Sequence, residues 1–232
     1  MMIYRASFSK EVALEVEPGY WTWHCNIQEV KSEILNSVDF LKNKLNADNH
    51  VFCLSDDKNF RRDLSTDYKD KRTKVKRPLV LKPTREWLLN DMGAITMPSL
   101  EGDDVLGILQ TSPHKNDDTI IVSGDKDMKS VPGKVYREDT LFEISEEEAN
   151  HNFFTQVLTG DITDGYTGIP GVGPAKALKI LGDNPTWDKV LRAYEAAGLS
   201  EEEALLQAWM ARILRYEDYD HENKQPIMWK PR

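Results

Sequence analysis

The sequence predicts an α/β protein with a mostly parallel central sheet and flanking helices, followed by a C-terminal helical region. Three observations carry that prediction. Short β-rich apolar runs alternate with amphipathic stretches through residues 1–145. The strand-like runs stop near Glu146 and helical periodicity takes over. A glycine- and proline-rich string, GIPGVGPAKALKIL at 168–181, reads as helix, tight turn and helix. The expected division is therefore 1–145 for the α/β body and 146–232 for the helical region.

The elements follow in order. IYRASF (3–8) reads as a short strand and YWTWHC (20–25) as a second strand or extended segment. Val30, Ile34, Val38, Leu41 and Leu45 recur at helical spacing, which predicts an amphipathic helix over 28–45. VFCL (51–54) reads as a buried strand, 84–91 as a short helix, and ITM (95–97) as a short strand. Asp103 to Gln110 reads as a helix. TIIVS (119–123) is a β-rich run between polar turns and predicts a central strand. Helices are expected at 146–158, 174–182, 186–197 and 201–215.

Composition narrows the function. The 232 residues carry 30 Lys and Arg against 39 Asp and Glu, a net charge of -9, and 40% hydrophobic residues. That supplies a sizeable core, and six tryptophans exclude a disordered chain. No apolar run reaches the roughly 18 residues of a membrane helix, and MMIYRASFSKEV lacks the apolar stretch of a signal peptide. Cys25 and Cys53 are too few and too far apart for a disulfide framework or a cysteine zinc site. A reduced, cytosolic protein with no membrane partner is expected.

The charge is segregated. Between Lys58 and Lys82 ten basic residues face only Asp63, Asp67 and Asp70, whereas acids crowd 143–148, 201–203 and 217–222. Acids also fall where strands should end or helices begin: Asp56 after VFCLS, Glu101-Gly-Asp103-Asp104, Asp125-Lys-Asp127 after TIIVSG, and Asp161 with Asp164 in GDITDG. Sites in open α/β sheets form at the carboxyl ends of strands, so these groups are expected to converge. Converging carboxylates repel or protonate unless cations intervene. Oxygen donors without His or Cys select Mg²⁺ or Mn²⁺, and two such ions suit in-line phosphodiester hydrolysis. Taken singly, each motif is as readily a turn or a helix cap; their recurrence favours a shared site.

The basic segment NFRRDLSTDYKDKRTKVKRP adds phosphate-neutralising side chains and two aromatics, Phe60 and Tyr68. The glycine hairpin at 168–181, with Lys176 and Lys179, has the helix-hairpin-helix pattern that holds a DNA backbone without reading sequence.

Assembled, these residues resemble the 5′→3′ exonuclease and flap endonuclease family, which includes phage exonucleases and the 5′-nuclease domain of bacterial DNA polymerase I. FRRDLSTDYKDKR is similar to its FR…YKxxR arch segment, here about 58–82. LEGDDVLGIL is similar to its E-A-D-D-V-L motif with Gly102 for Ala, and VSGDKDM to its T/S-x-D-K-D motif. GDITDGYTGIPGVGPAKA is similar to its Gly-Pro hairpin, with Gly165 where the family has Asn. The resemblance covers nearly the whole chain and looks most like a phage exonuclease.

It implies a 5′-nuclease (PIN-like) fold and a residue-by-residue site. Asp56, Glu101, Asp103 and Asp104 would surround a first metal; Asp125, Asp127, Asp161 and Asp164 would hold or support a second. Lys69 and Arg72 would contact the scissile or a neighbouring phosphate. Tyr68 would stack on the terminal base, with Arg61 and Arg62 at the arch base. Gly171, Val172, Gly173 and Lys176 would lie on the duplex, with K⁺ at the hairpin carbonyls. The implied substrates are 5′ ends, flaps and nicked or gapped DNA, with an RNA–DNA hybrid as a second. A monomer in the bacterial host cytosol, working beside replication proteins, is the expected setting.

The family's first strand carries an Asp just before the stretch similar to IYRASF. Here nothing acidic precedes Glu11. A catalytically impaired protein that binds DNA structures is therefore a second reading. A PIN-like ribonuclease is a third, and the duplex-gripping hairpin opposes it.

Overall fold

The computed structural model describes residues 2–70, 76–114 and 118–231. Arg72, with the rest of 71–75, lies outside the described residues. In chain order the helices are α1 (Met2–Ser9), α2 (Ile27–Leu45), α3 (Phe60–Leu64), α4 (Leu81–Asp91), α5 (Gly102–Thr111), α6 (Glu146–Thr159), α7 (Pro174–Leu181), α8 (Trp187–Ala196) and α9 (Glu201–Ala211). The strands are β1 (Glu11–Glu17), β2 (Tyr20–Cys25), β3 (Ile120–Val122), β4 (Gly133–Arg137), β5 (Thr140–Ile144), β6 (Tyr219–Asp220) and β7 (Gln225–Pro226). The chain divides into two compact units, Met1–Leu54 with Val75–Ile95, and Ser55–Lys74 with Thr96–Arg232.

In the first unit, the run predicted as a strand at 3–8 is instead α1. Short apolar runs fit either period, and burial decides: Ala6 packs with Val30 and Ile34 of α2, beside Ile3 and Trp87. Helix α2 forms as its periodicity predicts. Asn26 caps it by accepting the Gln28 N–H at 2.9 Å, and Val30, Ile34 and Val38 are buried. β1 and β2 form an antiparallel hairpin. The predicted strand VFCL reduces to one parallel bridge, Cys53 to Ile95.

The second unit contains the three-stranded sheet β3-β4-β5. β3 pairs parallel with β4 through a 3₁₀ turn at Lys126–Ser130, and β4 pairs antiparallel with β5. Among the described residues parallel pairing is confined to β3–β4 and the Cys53–Ile95 bridge, so the expected mostly parallel sheet is not formed by them. The helices α6 to α9 fall where periodicity predicts, except that α9 ends at Ala211. A short β6–β7 hairpin follows, where no strand was expected.

This unit packs around two apolar clusters. Phe153, Val157 and Leu158 of α6 meet Ala177, Val190, Tyr194 and Ala208 in one. Ile121, Met128, Val131 and Val135 meet Ile144 and Ile213 in the other. Three arginines of this unit, Arg61, Arg212 and Arg215, are also buried. Arg212 donates to Asp218 at 2.8 Å, and Arg215 donates to the Ser130 carbonyl at 3.2 Å and pairs with Glu146. No helix among the described residues is long and apolar enough to cross a membrane.

Candidate active site

Seven of the expected site acids come from three places in the second unit. Glu101, Asp103 and Asp104 sit at the start of α5. Asp125 and Asp127 follow β3, where Asp125 Oδ1 accepts the Asp127 N–H at 2.9 Å and caps the 3₁₀ turn. Asp161 and Asp164 follow α6, where Asp161 Oδ1 accepts the Thr163 N–H at 2.8 Å. The strand-end and helix-start positions read from the sequence thus become tight turns that aim carboxylates.

Two lysines stand between these carboxylates. Lys69 Nζ is 2.6 Å from Glu101 Oε1 and 3.5 Å from Asp164 Oδ2. Lys126 Nζ is 2.8 Å from Asp127 Oδ1 and 3.6 Å from Asp161 Oδ2. Lys69 is held firmly: its N–H donates to the Asp164 carbonyl at 3.0 Å, and its φ of 53° is left-handed. A lysine keeps that conformation only where its surroundings impose it.

Proton affinities record the crowding. Burial first, then the nearby Asp125 and Glu101, push the Asp103 carboxyl up to about 6. Burial also raises Asp127 against its Lys126 hydrogen bond, and Asp125 adds to the rise. For Glu101, burial is the largest single influence and opposes ionisation, but Lys69 and Arg61 outweigh it and hold the carboxyl at about 2.

Several expected residues take other positions. Asp104 is not offered to a metal. It is buried and bound by both guanidinium nitrogens of Arg61 at 2.8 Å, and Oδ1 also accepts the Leu214 N–H at 3.1 Å. Arg61 is therefore interior and unavailable to DNA, whereas its neighbour Arg62 is exposed. Tyr68 is buried, with its hydroxyl donating to Glu101 Oε2 at 2.6 Å; its ring is packed in the core rather than open for base stacking. Asp56 lies beside the start of α5, its N–H donating to the Leu100 carbonyl at 2.8 Å. It accepts the Ser99 N–H at 2.8 Å and lines a cleft with Thr96, Tyr219, His221 and Lys224. Gly171, Gly173 and Lys176 are exposed at the start of α7, and the Val172 side chain is buried. The sequence reading missed the role of Lys126. Its signal was a cation placed between two acids in Asp125-Lys-Asp127.

Gly165, where the family has Asn, has a local reason. Its φ is +87°, and a Cβ there would lie 2.2 Å from the Asp67 carbonyl oxygen. The missing side chain lets the 161–166 loop close on 67–69 and seat Lys69. Gly165→Ala is expected to cost about 2 kcal/mol and to loosen the seating of Lys69. Urea denaturation checks this; unchanged stability would show that the loop relaxes freely.

The donor set fits hard divalent cations: carboxylate oxygens that repel one another, with no His or Cys among them. Among the described residues no three such side chains yet stand close enough to hold an ion. The two ammoniums occupy the intervening positions.

Residues 2–156 match the family described as 5′-3′ exonuclease, N-terminal resolvase-like domain. The exodeoxyribonuclease of Enterobacteria phage T3 is 27% identical, over 100% of this chain and 90% of its own. The exonuclease of Escherichia phage T7 is 27% identical, over 99% and 91%. A flap endonuclease structure of bacteriophage T5, in complex with DNA and metal ions, superposes with a TM-score of 0.64 at 15% identity, over 78% of this chain and 80% of that one. A T5 5′-exonuclease structure with bound zinc gives 0.55 at 15% identity, over 78% and 80%. A resolvase-like body with an acidic face defines the 5′-nuclease class of fold. The chain belongs to the 5′-3′ exonuclease family.

Proposed function

We propose that the chain hydrolyses DNA phosphodiester bonds at or near a 5′ end, on flaps, nicked or gapped duplexes, with two divalent cations (Mg²⁺ or Mn²⁺). The observation that carries this is the Lys69 ammonium set between Glu101 and Asp164, beside the repelling Asp103 carboxyl. That arrangement supplies acidic cation ligands and a phosphate-facing cation in one place.

Glu101 and Asp103 would hold one ion; Asp125, Asp127, Asp161 and Asp164 would hold or support the other. Bound there, the ions would supply a water nucleophile and charge stabilisation at the leaving oxygen. The residues of the chain do the rest. Glu101 stays ionised because Lys69 and Arg61 outweigh its burial. Tyr68 fixes the Glu101 carboxylate by its hydroxyl. Lys69 would offer its ammonium to a phosphate oxygen, and Arg72 is assigned the same task. Arg62 and the exposed start of α7, with Gly171, Gly173 and Lys176, would bind the backbone of the duplex, with K⁺ at the hairpin carbonyls. An RNA–DNA hybrid is a second substrate of the same chemistry. We further assign a monomer acting in the host cytosol beside replication proteins.

The test is cleavage of a 5′-labelled flap and of a nicked duplex, with Mg²⁺ and with EDTA. Metal-dependent product is expected. Asp125→Asn with Asp127→Asn is expected to lower the rate by at least about a hundredfold and to leave DNA binding in Ca²⁺ measurable. Structure-specific binding without product would favour the impaired DNA-binding reading instead. Full activity in the double variant would remove these residues from the site.

A further inference from the structure

Lys126 lies in sequence between two acids and in space between two others. Its Nζ reaches Asp127, on the turn after β3, and Asp161, on the loop after α6. One ammonium thereby spans carboxylates from two separate elements. The lysine side chain is 66% exposed, whereas the two carboxylates are 20% and 21% exposed. Asp161 is oriented by the Thr163 N–H, and Asp127 sits in the turn that its own N–H closes onto Asp125. The lysine is the solvent-exposed member of the group.

Building on the metal-dependent reading above, we propose that Lys126 is a resident counter-ion. It competes with divalent cations for Asp127 and Asp161 and sets the cation concentration at which that side of the site fills.

The argument is one of charge and access. Two carboxylates facing one space repel, and a single positive charge between them relieves part of that repulsion. A divalent cation relieves more, but it needs the lone pairs that the ammonium now occupies. Lys126 can yield them cheaply, because an exposed ion pair is weak and the freed ammonium is fully hydrated in solvent. Lys69 differs in each respect. It is 14% exposed, tied by its backbone to Asp164, and set over the Tyr68 ring at 4.8 Å. One lysine is thus built into the site and the other is built to leave it. Without divalent ions, Lys126 keeps the β3 turn and the α6 loop together. With them, it swings out and adds positive charge at the rim, where a polyanion arrives.

The test is Mn²⁺ binding to the full chain without DNA, followed by calorimetry and by the electron paramagnetic resonance signal of free Mn²⁺. Lys126→Ala is expected to bind about three- to tenfold more tightly than the unsubstituted protein, and Lys126→Arg to stay within about twofold. In EDTA, Lys126→Ala is expected to melt below the unsubstituted protein and to gain more on Mn²⁺ addition than that protein does. A purely structural surface lysine would lower stability without tightening binding. Unchanged or weaker Mn²⁺ affinity in Lys126→Ala, with Asp161→Asn still impairing binding, overturns the role of Lys126 and leaves the metal site standing. No Mn²⁺ uptake by any of these proteins overturns both.

Discussion

Arg61→Ala is expected to destabilise the protein by about 3–5 kcal/mol, the usual effect of removing one partner of a buried ion pair. Arg61 is 2% exposed and Asp104 1%. The guanidinium binds both Asp104 oxygens, and its Nε also donates to the Met210 carbonyl at 3.2 Å. It ties α3 to the start of α5 and to the chain leaving α9. Alanine would strand the Asp104 carboxylate in the interior and leave carbonyls unpaired. A melting temperature lower by about 10 °C is the expected reading. Arg62→Ala is the contrast. That side chain is exposed, so stability should move by no more than about 0.5 kcal/mol, while DNA affinity and its salt dependence fall. If the two variants were equally stable, the buried pair would not be holding this unit together. If Arg61→Ala folded normally and lost only DNA affinity, Arg61 would belong to the DNA surface after all.

That pair shows where sequence reasoning stops. FRR in a basic run reads as a phosphate-binding surface, and nothing local separates the first arginine from the second. The partner of Arg61 lies 43 positions away, and only packing decides which guanidinium turns inward. Asp104 was misplaced for the same reason: three acids at one helix start look equivalent until one is neutralised. The same limit applies to Tyr68, whose hydroxyl binds Glu101 across 33 positions. Local signals were better guides where a period or a cap existed. Helix α2 follows its 3.6-residue repeat, and the acids of VSGDKD and GDITDG become the turns their side chains favour. The β4–β5 hairpin was not legible, because its turn uses Glu138 and Asp139 at φ 49° and 61° rather than the Asn-Gly pair that marks such turns. The α1 run was ambiguous by period alone, and its contact with α2 decided it.

Asp103→Asn is expected to stabilise the metal-free protein while weakening its stabilisation by metal. Burial, with Asp125 and Glu101, holds the Asp103 carboxyl at about 6, above its ordinary 3.8. The folded state therefore binds that proton more tightly than the unfolded chain does. Protonation favours folding, so stability rises as pH falls through about 6 towards 3.8, and the full penalty of the charged form applies above 6. Its size is about 2 kcal/mol after allowance for residual solvent access. Glu101 titrates in the opposite sense, but near 2, so its contribution is lost only at more acidic pH. Asp127 is raised and shares the direction of Asp103, leaving some slope in the variant. Denaturation in EDTA at pH 5 and pH 8 reads this directly: the unsubstituted protein gains on acidification, and Asp103→Asn starts higher at pH 8 and gains less. Divalent cations should reverse the order, since they favour the charged carboxylate that the variant lacks. Asp103→Asn would then be more stable without metal, gain less stability from it, and cleave DNA poorly. A variant that is less stable at pH 8, or that keeps the full pH slope, would place the strain on a neighbouring carboxylate. The prediction follows from a general conflict: charges gathered to hold cations work against the fold until the cations arrive. In this chain the two lysines offset part of that conflict, Lys69 from within the fold and Lys126 from solvent.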